Sequence, residues 1–145
     1  MKESDMKGTL KEGITFEFRY TVPENKTVPN LYPESEEFQN MPNVFATGFM
    51  IGLFEWACIR ALKPYLDYPK EQTVGIHVNF SHVAATPPGL TITVRGKLER
   101  IEGRKLSFRI EADDGVDKIS EGMHERFIIF TEKFNSKVEE KKLKL

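Results

Sequence analysis

Residues 44–62, VFATGFMIGLFEWACIRAL, constrain the fold more than any other part of the chain. The segment has helical length and carries Phe49, Met50, Ile51, Leu53, Phe54, Trp56, Cys58, Ile59 and Leu62, so nearly every helical face is apolar. A helix that is hydrophobic all round belongs in an interior, covered by other elements. Glu55 stands in its middle. An unpaired carboxylate in a dry interior costs on the order of several kcal/mol, so Glu55 needs a partner, water or a shifted pKa. That misfit is the strongest functional signal in the sequence.

The segment is marginal for a membrane span, which needs about 20 apolar residues. It is bounded by Pro42 and Pro64, and no signal peptide precedes it, so a cytoplasmic protein with no membrane partner is expected. The 145 residues suit one domain with one core, residues 1–12 and 138–145 being expected as frayed tails. Charged residues make up 30% and the formal net charge is -1, which implies no general polyanion-binding surface and no nucleic-acid partner. The lone Cys58 excludes an internal disulfide and a multi-cysteine metal site, and reads as plain packing.

Around the helix, the chain alternates in the manner of strands. Residues 14–20 (ITFEFRY) put apolar side chains on one face. Residues 22–43 hold four prolines and several acids with no clear period, a long connection that either lids a site or tacks itself to the core through Phe38 and Met41. Thr47 is a candidate helix N-cap, and the helix should end near Lys63-Pro64. Residues 73–83 form a strand with Val74, Ile76, Val78, Phe80 and His82 on one face. Two more strands, 90–101 and 105–110, join through a tight hairpin at Glu102-Gly103. A turn at 113–115 leads to a last long strand, 118–131, and a charged tail that is either a short helix or disordered.

One strand, one buried helix and four antiparallel strands make an α+β chain in which the sheet covers one side of the helix. A second copy is the economical cover for the other side. The expected architecture is therefore the hotdog fold, a sheet wrapped around a long helix, working as a homodimer.

Parity sorts the histidines. His77 falls with Asn79 and Ser81 and points to solvent, whereas His82 follows Val78 and Phe80 inward. His124 is flanked by polar residues. A Glu55–His82 pair would satisfy both groups and poise the imidazole for acid–base work near neutral pH. Thr47 is either a plain cap or a nucleophile or hydrogen-bonding group beside helix N–H groups that can hold an oxyanion, with Gly48 permitting close approach. Glu55 lies eight positions beyond Thr47, about 12 Å along a helix axis, so either Thr47 sits in the preceding turn and folds back or a second subunit supplies one of the groups, and a site at the dimer interface is favoured. Gly75 marks a bulge or makes room for a ligand. Arg126 shares parity with Ile128 and Phe130, so it starts from a partly inward face, either to pair with an acid or to bind a carboxylate or phosphate. Walker A, Gly-x-Gly-x-x-Gly, Gly-x-Ser-x-Gly and His-Glu-x-x-His patterns are absent, and with them any support for nucleotide-hydrolysing, serine-hydrolase or metal readings.

From about residue 13 to 137 the sequence resembles the fluoroacetyl-CoA thioesterase family of hotdog enzymes. The likeness runs in order through Leu31-Tyr-Pro-Glu-Ser35, Phe45-Ala-Thr-Gly-Phe-Met50, Glu55-Trp-Ala-Cys58, His82, Ala84-Ala-Thr-Pro-Pro-Gly-Leu90, Asp114-Gly-Val-Asp117, His124-Glu-Arg126 and Glu132-Lys-Phe-Asn135. The resemblance implies hydrolysis of an acyl-CoA thioester by catalytic Thr47, Glu55 and His82, with Gly75 and Arg126 contacting substrate. It also implies a homodimer with neither metal nor cofactor. The fluoroacetyl-specific member closes its acyl pocket with two phenylalanines; Phe38 matches the first, and Met41 stands in place of the second. Methionine lacks the rigid wall of an aromatic ring, so the general activity carries over more safely than the fluoroacetyl preference. The expectation is a short-chain acyl-CoA thioesterase gated by Phe38 and Met41. A hotdog enoyl-CoA hydratase and a non-catalytic acyl-CoA binding protein are the alternatives.

Overall fold

In a computed structural model, which describes residues 8–145, five strands form one antiparallel sheet in the order β1-β3-β4-β5-β2. They are β1 (Thr15–Thr21), β2 (Glu71–Phe80), β3 (Thr91–Glu102), β4 (Lys105–Asp113) and β5 (Lys118–Phe130). The helices are a single turn, α1 (Glu36–Gln39), the long α2 (Thr47–Leu62) and the C-terminal α3 (Thr131–Lys142). The two central strands owe their place to side chains that can be buried, among them Ile92, Val94 and Leu98 on β3 and Leu106, Phe108 and Ile110 on β4. A two-residue loop joins them, with Gly103 at a φ of 64°, the left-handed conformation that such a hairpin requires.

On α2, Met50, Leu53, Phe54, Ala57, Cys58 and Leu62 are buried against the sheet. Full burial of a large apolar side chain contributes about 1.5–3 kcal/mol, so this one face explains why the helix docks. Phe54 also meets Phe80 edge-on at 5.0 Å. Cover on all sides, expected from the sequence, is found within one chain only on the sheet side. Trp56 is 43% and Ile59 39% exposed, and Gly48 and Gly52 are exposed too.

The edge strand β2 carries a bulge. Its register with β5 shifts between Gly75 and His77, leaving Ile76 as the extra residue. Gly75 pairs with buried Arg126, and Val78 with buried His124, so both face inward. Val74 pairs with Phe127 on the outer face, so the sequence expectation of one face for Val74, Ile76 and Val78 fails at the bulge. His77 is exposed, as expected. Val78, although inward by parity, is 44% exposed because no strand lies beyond β2.

The connection 22–46 is short turns pinned to the core. Val28 N–H donates to Val44 O (3.0 Å), Ala46 N–H to Lys26 O (3.2 Å) and Phe45 N–H to Thr86 O (2.8 Å). Of the expected tails, residues 1–7 lie outside the described residues. Leu10 packs against the core, and Glu12 Oε2 accepts from Ile101 N–H at 3.0 Å, so residues 10–12 are tied down. At the other end, residues 138–142 complete α3, where a frayed tail was expected.

Candidate active site

The start of α2 brings two sequence-predicted residues together. Thr47 Oγ1 lies 2.7 Å from His82 Nδ1. The expected capping role of Thr47 is not realised. Ala46 is the N-cap, without a side-chain bond, and Thr47 is the first helical residue. Its hydroxyl is engaged by the imidazole instead. The first intrahelical bond runs from Met50 N–H to Ala46 O (2.8 Å), so the N–H groups of Thr47, Gly48 and Phe49 have no acceptor within the helix. A Thr–His pair therefore sits beside a cluster of free donors at the positive end of a helix. Leu31 closes the other side, for a Cβ at Gly48 would stand 2.9 Å from Leu31 Cδ2.

His82 lies two residues past the end of β2, held by Ser81 N–H to Glu121 O (3.1 Å) and Val83 N–H to Ile119 O (2.9 Å). Burial pushes its pKa below the usual histidine value, which favours a neutral, basic imidazole near pH 7. Its Nε2 is buried and has no hydrogen-bond partner among the described residues. The loop that follows is fastened at Thr86, whose carbonyl takes the Phe45 N–H and whose hydroxyl donates to Asp114 Oδ2 at 2.7 Å. Asp114 Oδ1 in turn accepts from Val116 N–H (3.0 Å) and Asp117 N–H (2.8 Å). Burial raises the Asp114 pKa, but these donors outweigh it and hold the carboxyl below its ordinary value. One buried carboxylate thus fixes the loop that joins the Thr47 and His82 segments.

Glu55 belongs to a second cluster. The sequence offers His82 as its partner, with a subunit interface favoured; within one chain the structure pairs it with Arg126, Nη1 to Oε2 at 2.9 Å. The bulge explains the difference. It turns Gly75 inward opposite Arg126, and a Cβ at Gly75 would stand only 2.6 Å from Glu55 Oε2. The glycine makes room for the carboxylate, so both readings of Gly75, bulge and close approach, apply. Arg126 is 2% exposed, further inward than its parity alone implied. Its Nε and Nη2 donate to Thr73 Oγ1 and Thr73 O, both at 2.8 Å. His124 completes the group, with Nε2 3.0 Å from Arg126 Nη1 and Nδ1 2.8 Å from His77 O.

Sequence reasoning passed over His124 and Thr73. Its flanking polar residues gave His124 no assigned face, yet it is fully buried. The parity that turns Arg126 inward applies equally two residues earlier, and that signal was present. Phe38, on α1, packs its ring at 5.2 Å from Tyr32, and Met41 is 47% exposed; neither shares a hydrogen bond or ring contact with Thr47 or His82. Cys58 is buried, and burial pushes its thiol pKa up to about 12, the nearby Arg126 cation lowering it and Glu55 raising it. No group of three or more His, Cys, Asp or Glu among the described residues is placed to hold a metal ion. No described helix is long and apolar enough to cross a membrane.

The wrapped sheet and the Thr–His pair at a helix N-terminus define the class, a hotdog protein of the thioesterase superfamily. A Thermus thermophilus hypothetical protein solved as a member of that superfamily superposes with a TM-score of 0.81 at 27% identity, covering 94% of this chain and 96% of its own. The family is narrower. The profile of the fluoroacetyl-CoA-specific thioesterases matches residues 22–132. A fluoroacetyl-CoA thioesterase from Streptantibioticus cattleyicolor is 54% identical over 136 residues, 94% of this chain and 97% of that protein. A solved structure of a fluoroacetyl-CoA thioesterase shares 55% identity and a TM-score of 0.88, covering 91% of this chain and 97% of the other. The chain belongs to the fluoroacetyl-CoA-specific thioesterase family.

Proposed function

We propose that the protein hydrolyses a short-chain acyl-CoA, fluoroacetyl-CoA or a close analogue, to the free carboxylate and CoA, as a cytoplasmic homodimer. The observation that carries the reading is the 2.7 Å contact between Thr47 Oγ1 and His82 Nδ1 beside unpaired helix N–H groups, in a member of this family. Those N–H groups receive the negative charge that develops on the thioester oxygen. A neutral His82 takes a proton from the Thr47 hydroxyl or from a water that it positions, and returns it to the departing thiolate. Water is consumed, the C–S bond breaks, and a thiol and a carboxylate leave.

Glu55 and Arg126 supply the second half of the site, with Gly75 shaping the acyl end and Phe38 and Met41 gating it. Three observations support assembly across a dimer. The unpaired edge of β2 is a template for pairing with another strand. One flank of α2 is uncovered, with Trp56 and Ile59 exposed on it. His82 Nε2 is buried without a partner among the described residues, while Glu55 is engaged by Arg126.

The deciding experiment is a panel of acyl-CoAs with a thiol indicator. Release of CoA from a short acyl-CoA, abolished by His82→Ala, is expected; no release from any member by an intact dimer overturns the proposal. Mixing inactive Thr47→Ala and Glu55→Gln subunits tests the assembly. Recovered activity is expected for a shared site, whereas a site within one chain stays dead in the mixture. Met41→Phe should change the ranking of acyl groups with little change in melting temperature, and an unaltered ranking removes Met41 from the gate.

A further inference from the structure

His124 is fully buried and has no part in the chemistry above, yet it touches the one cation that does. Its ring nitrogens have different and fixed partners. Nδ1 lies 2.8 Å from the His77 carbonyl oxygen, which can only accept, so Nδ1 carries the proton. Nε2 is then a bare acceptor, 3.0 Å from Arg126 Nη1, which can only donate. A single neutral tautomer satisfies both contacts. The other sets lone pair against lone pair at His77 and N–H against N–H at Arg126.

A guanidinium has five N–H groups in a rigid plane. Arg126 spends Nε on Thr73 Oγ1 and one Nη2 hydrogen on Thr73 O. Nη1 spends one hydrogen on Glu55 and the other on His124. Thr73 holds one edge of the plane, and among the described residues His124 and Glu55 are the groups bonded to the other. Glu55 is the more exposed member, its side chain 36% exposed against 3% for Arg126. Without the imidazole acceptor, the guanidinium keeps its hinge at Thr73 and loses the stop that sets its tilt.

We propose that His124 is a positioning residue of the thioesterase site: its Nε2 lone pair fixes the plane of the Arg126 guanidinium, and with it the Glu55 carboxylate and the one uncommitted Nη2 N–H. The proposal rests on the reading of Glu55 and Arg126 as site residues. It assigns His124 the acceptor role toward Arg126 rather than a packing role or a bond to the strand backbone.

Two substitutions separate those roles. His124→Gln keeps an acceptor near the Nε2 position and drops the donor to His77 O. His124→Asn keeps a donor near Nδ1 and drops the acceptor for Arg126. Each is read in two ways: by the NMR signals of the Arg126 side-chain N–H groups, and by kcat and KM for the acyl-CoA that the unaltered protein turns over fastest. His124→Asn is expected to lose about 10²-fold in kcat, as displacements near 1 Å do, with little change in KM and with loss of slowly exchanging Arg126 signals. His124→Gln is expected to stay within a few-fold of the parent and to keep the signals. The reverse ranking, with Asn the better replacement, overturns the proposal. If the Asn protein does not fold, a folded Gln protein that has lost both turnover and the Arg126 signals overturns it equally. Absence of turnover in the parent protein counts against the thioesterase reading alone, because the NMR ranking still tests the positioning.

Discussion

Gly75→Ala is the smallest change that puts the site geometry at risk. The residue is not in the left-handed region, so alanine fits the backbone, and by restricting the unfolded chain it contributes about 0.4–1 kcal/mol of stability. The new methyl group meets Glu55 Oε2 at 2.6 Å, roughly 1 Å inside ordinary van der Waals contact. His124 Cε1 at 3.3 Å and Arg126 Nη1 at 3.4 Å close the alternatives, so the carboxylate is what moves. Moving it by about 1 Å takes the 2.9 Å bond to Arg126 beyond hydrogen-bonding range. Loss of a hydrogen bond to a charged group costs about 1.5–3 kcal/mol. Because Glu55 is partly exposed, water recovers part of that, and the expected net destabilisation is about 1 kcal/mol, a few degrees in melting temperature. Turnover should suffer more, by about 10²-fold in kcat, equivalent to about 2.7 kcal/mol at the transition state. Thiol release from a short acyl-CoA, alongside a thermal melt, measures both. A folded Gly75→Ala protein with kcat within threefold of the parent would refute the argument that this glycine exists to seat Glu55.

Asp114→Asn should cost about 2–3 kcal/mol, since it weakens three charge-assisted bonds at a buried carboxylate, and should lower kcat by loosening the loop after His82; denaturant unfolding at pH 7 gives the first number. Cys58, buried with its thiol pushed up to about 12, should resist thiol reagents in the native protein and react only on unfolding, so fast labelling of the native state contradicts its burial. For pH, His82 and His124 both have folded pKa values lowered by burial, with Arg126 also lowering that of His124 against raising contributions from the His77 carbonyl and Glu55. Such groups bind protons more readily when unfolded, so their stability contribution is whole above about pH 6.5 and falls as pH drops from there toward the folded values. Denaturation midpoints that stay flat or rise between pH 7 and pH 5.5 would contradict both shifts.

The fold was legible because its strongest signals are local. Alternation on β3 and β4, the glycine at their hairpin and the apolar run of α2 each act within a few residues. Tertiary burial only confirms them. The bulge at Ile76 is different. Gly75 signals that a bulge is possible without fixing which residue is the extra one, and a slip of one residue reverses the side chains on one side of it. The consequence is visible at Val74, read as inward and found on the outer face opposite Phe127.

Thr47, His82, Glu55, Gly75 and Arg126 could each be singled out from the sequence, but the contacts that the structure gives them could not. Thr47 and His82 stand 35 residues apart, and their contact depends on the irregular segment after β2 and on Thr86 bonding both to Phe45 and to Asp114. Glu55 was identified from its misfit in an apolar helix, and the requirement for a partner was sound. Within one chain that partner is Arg126, because burial of a carboxylate asks first for a cation and the bulge delivers Arg126, not His82, at that level of the helix. The pairing answers one question and sharpens another. Arg126 is anchored by Thr73 and His124, so Glu55 is held by the sheet beneath it while its side chain stays 36% exposed. A carboxylate fixed from behind and open in front is arranged to act outward. The groups it would act on under the proposed function, a threonine two helical turns away and a histidine whose buried Nε2 has no partner among the described residues, lie at the N-terminal end of the same helix. In the proposed homodimer, a two-fold axis beside that open flank would set the end of one helix against the middle of another, so that groups held apart within one chain would meet across the interface.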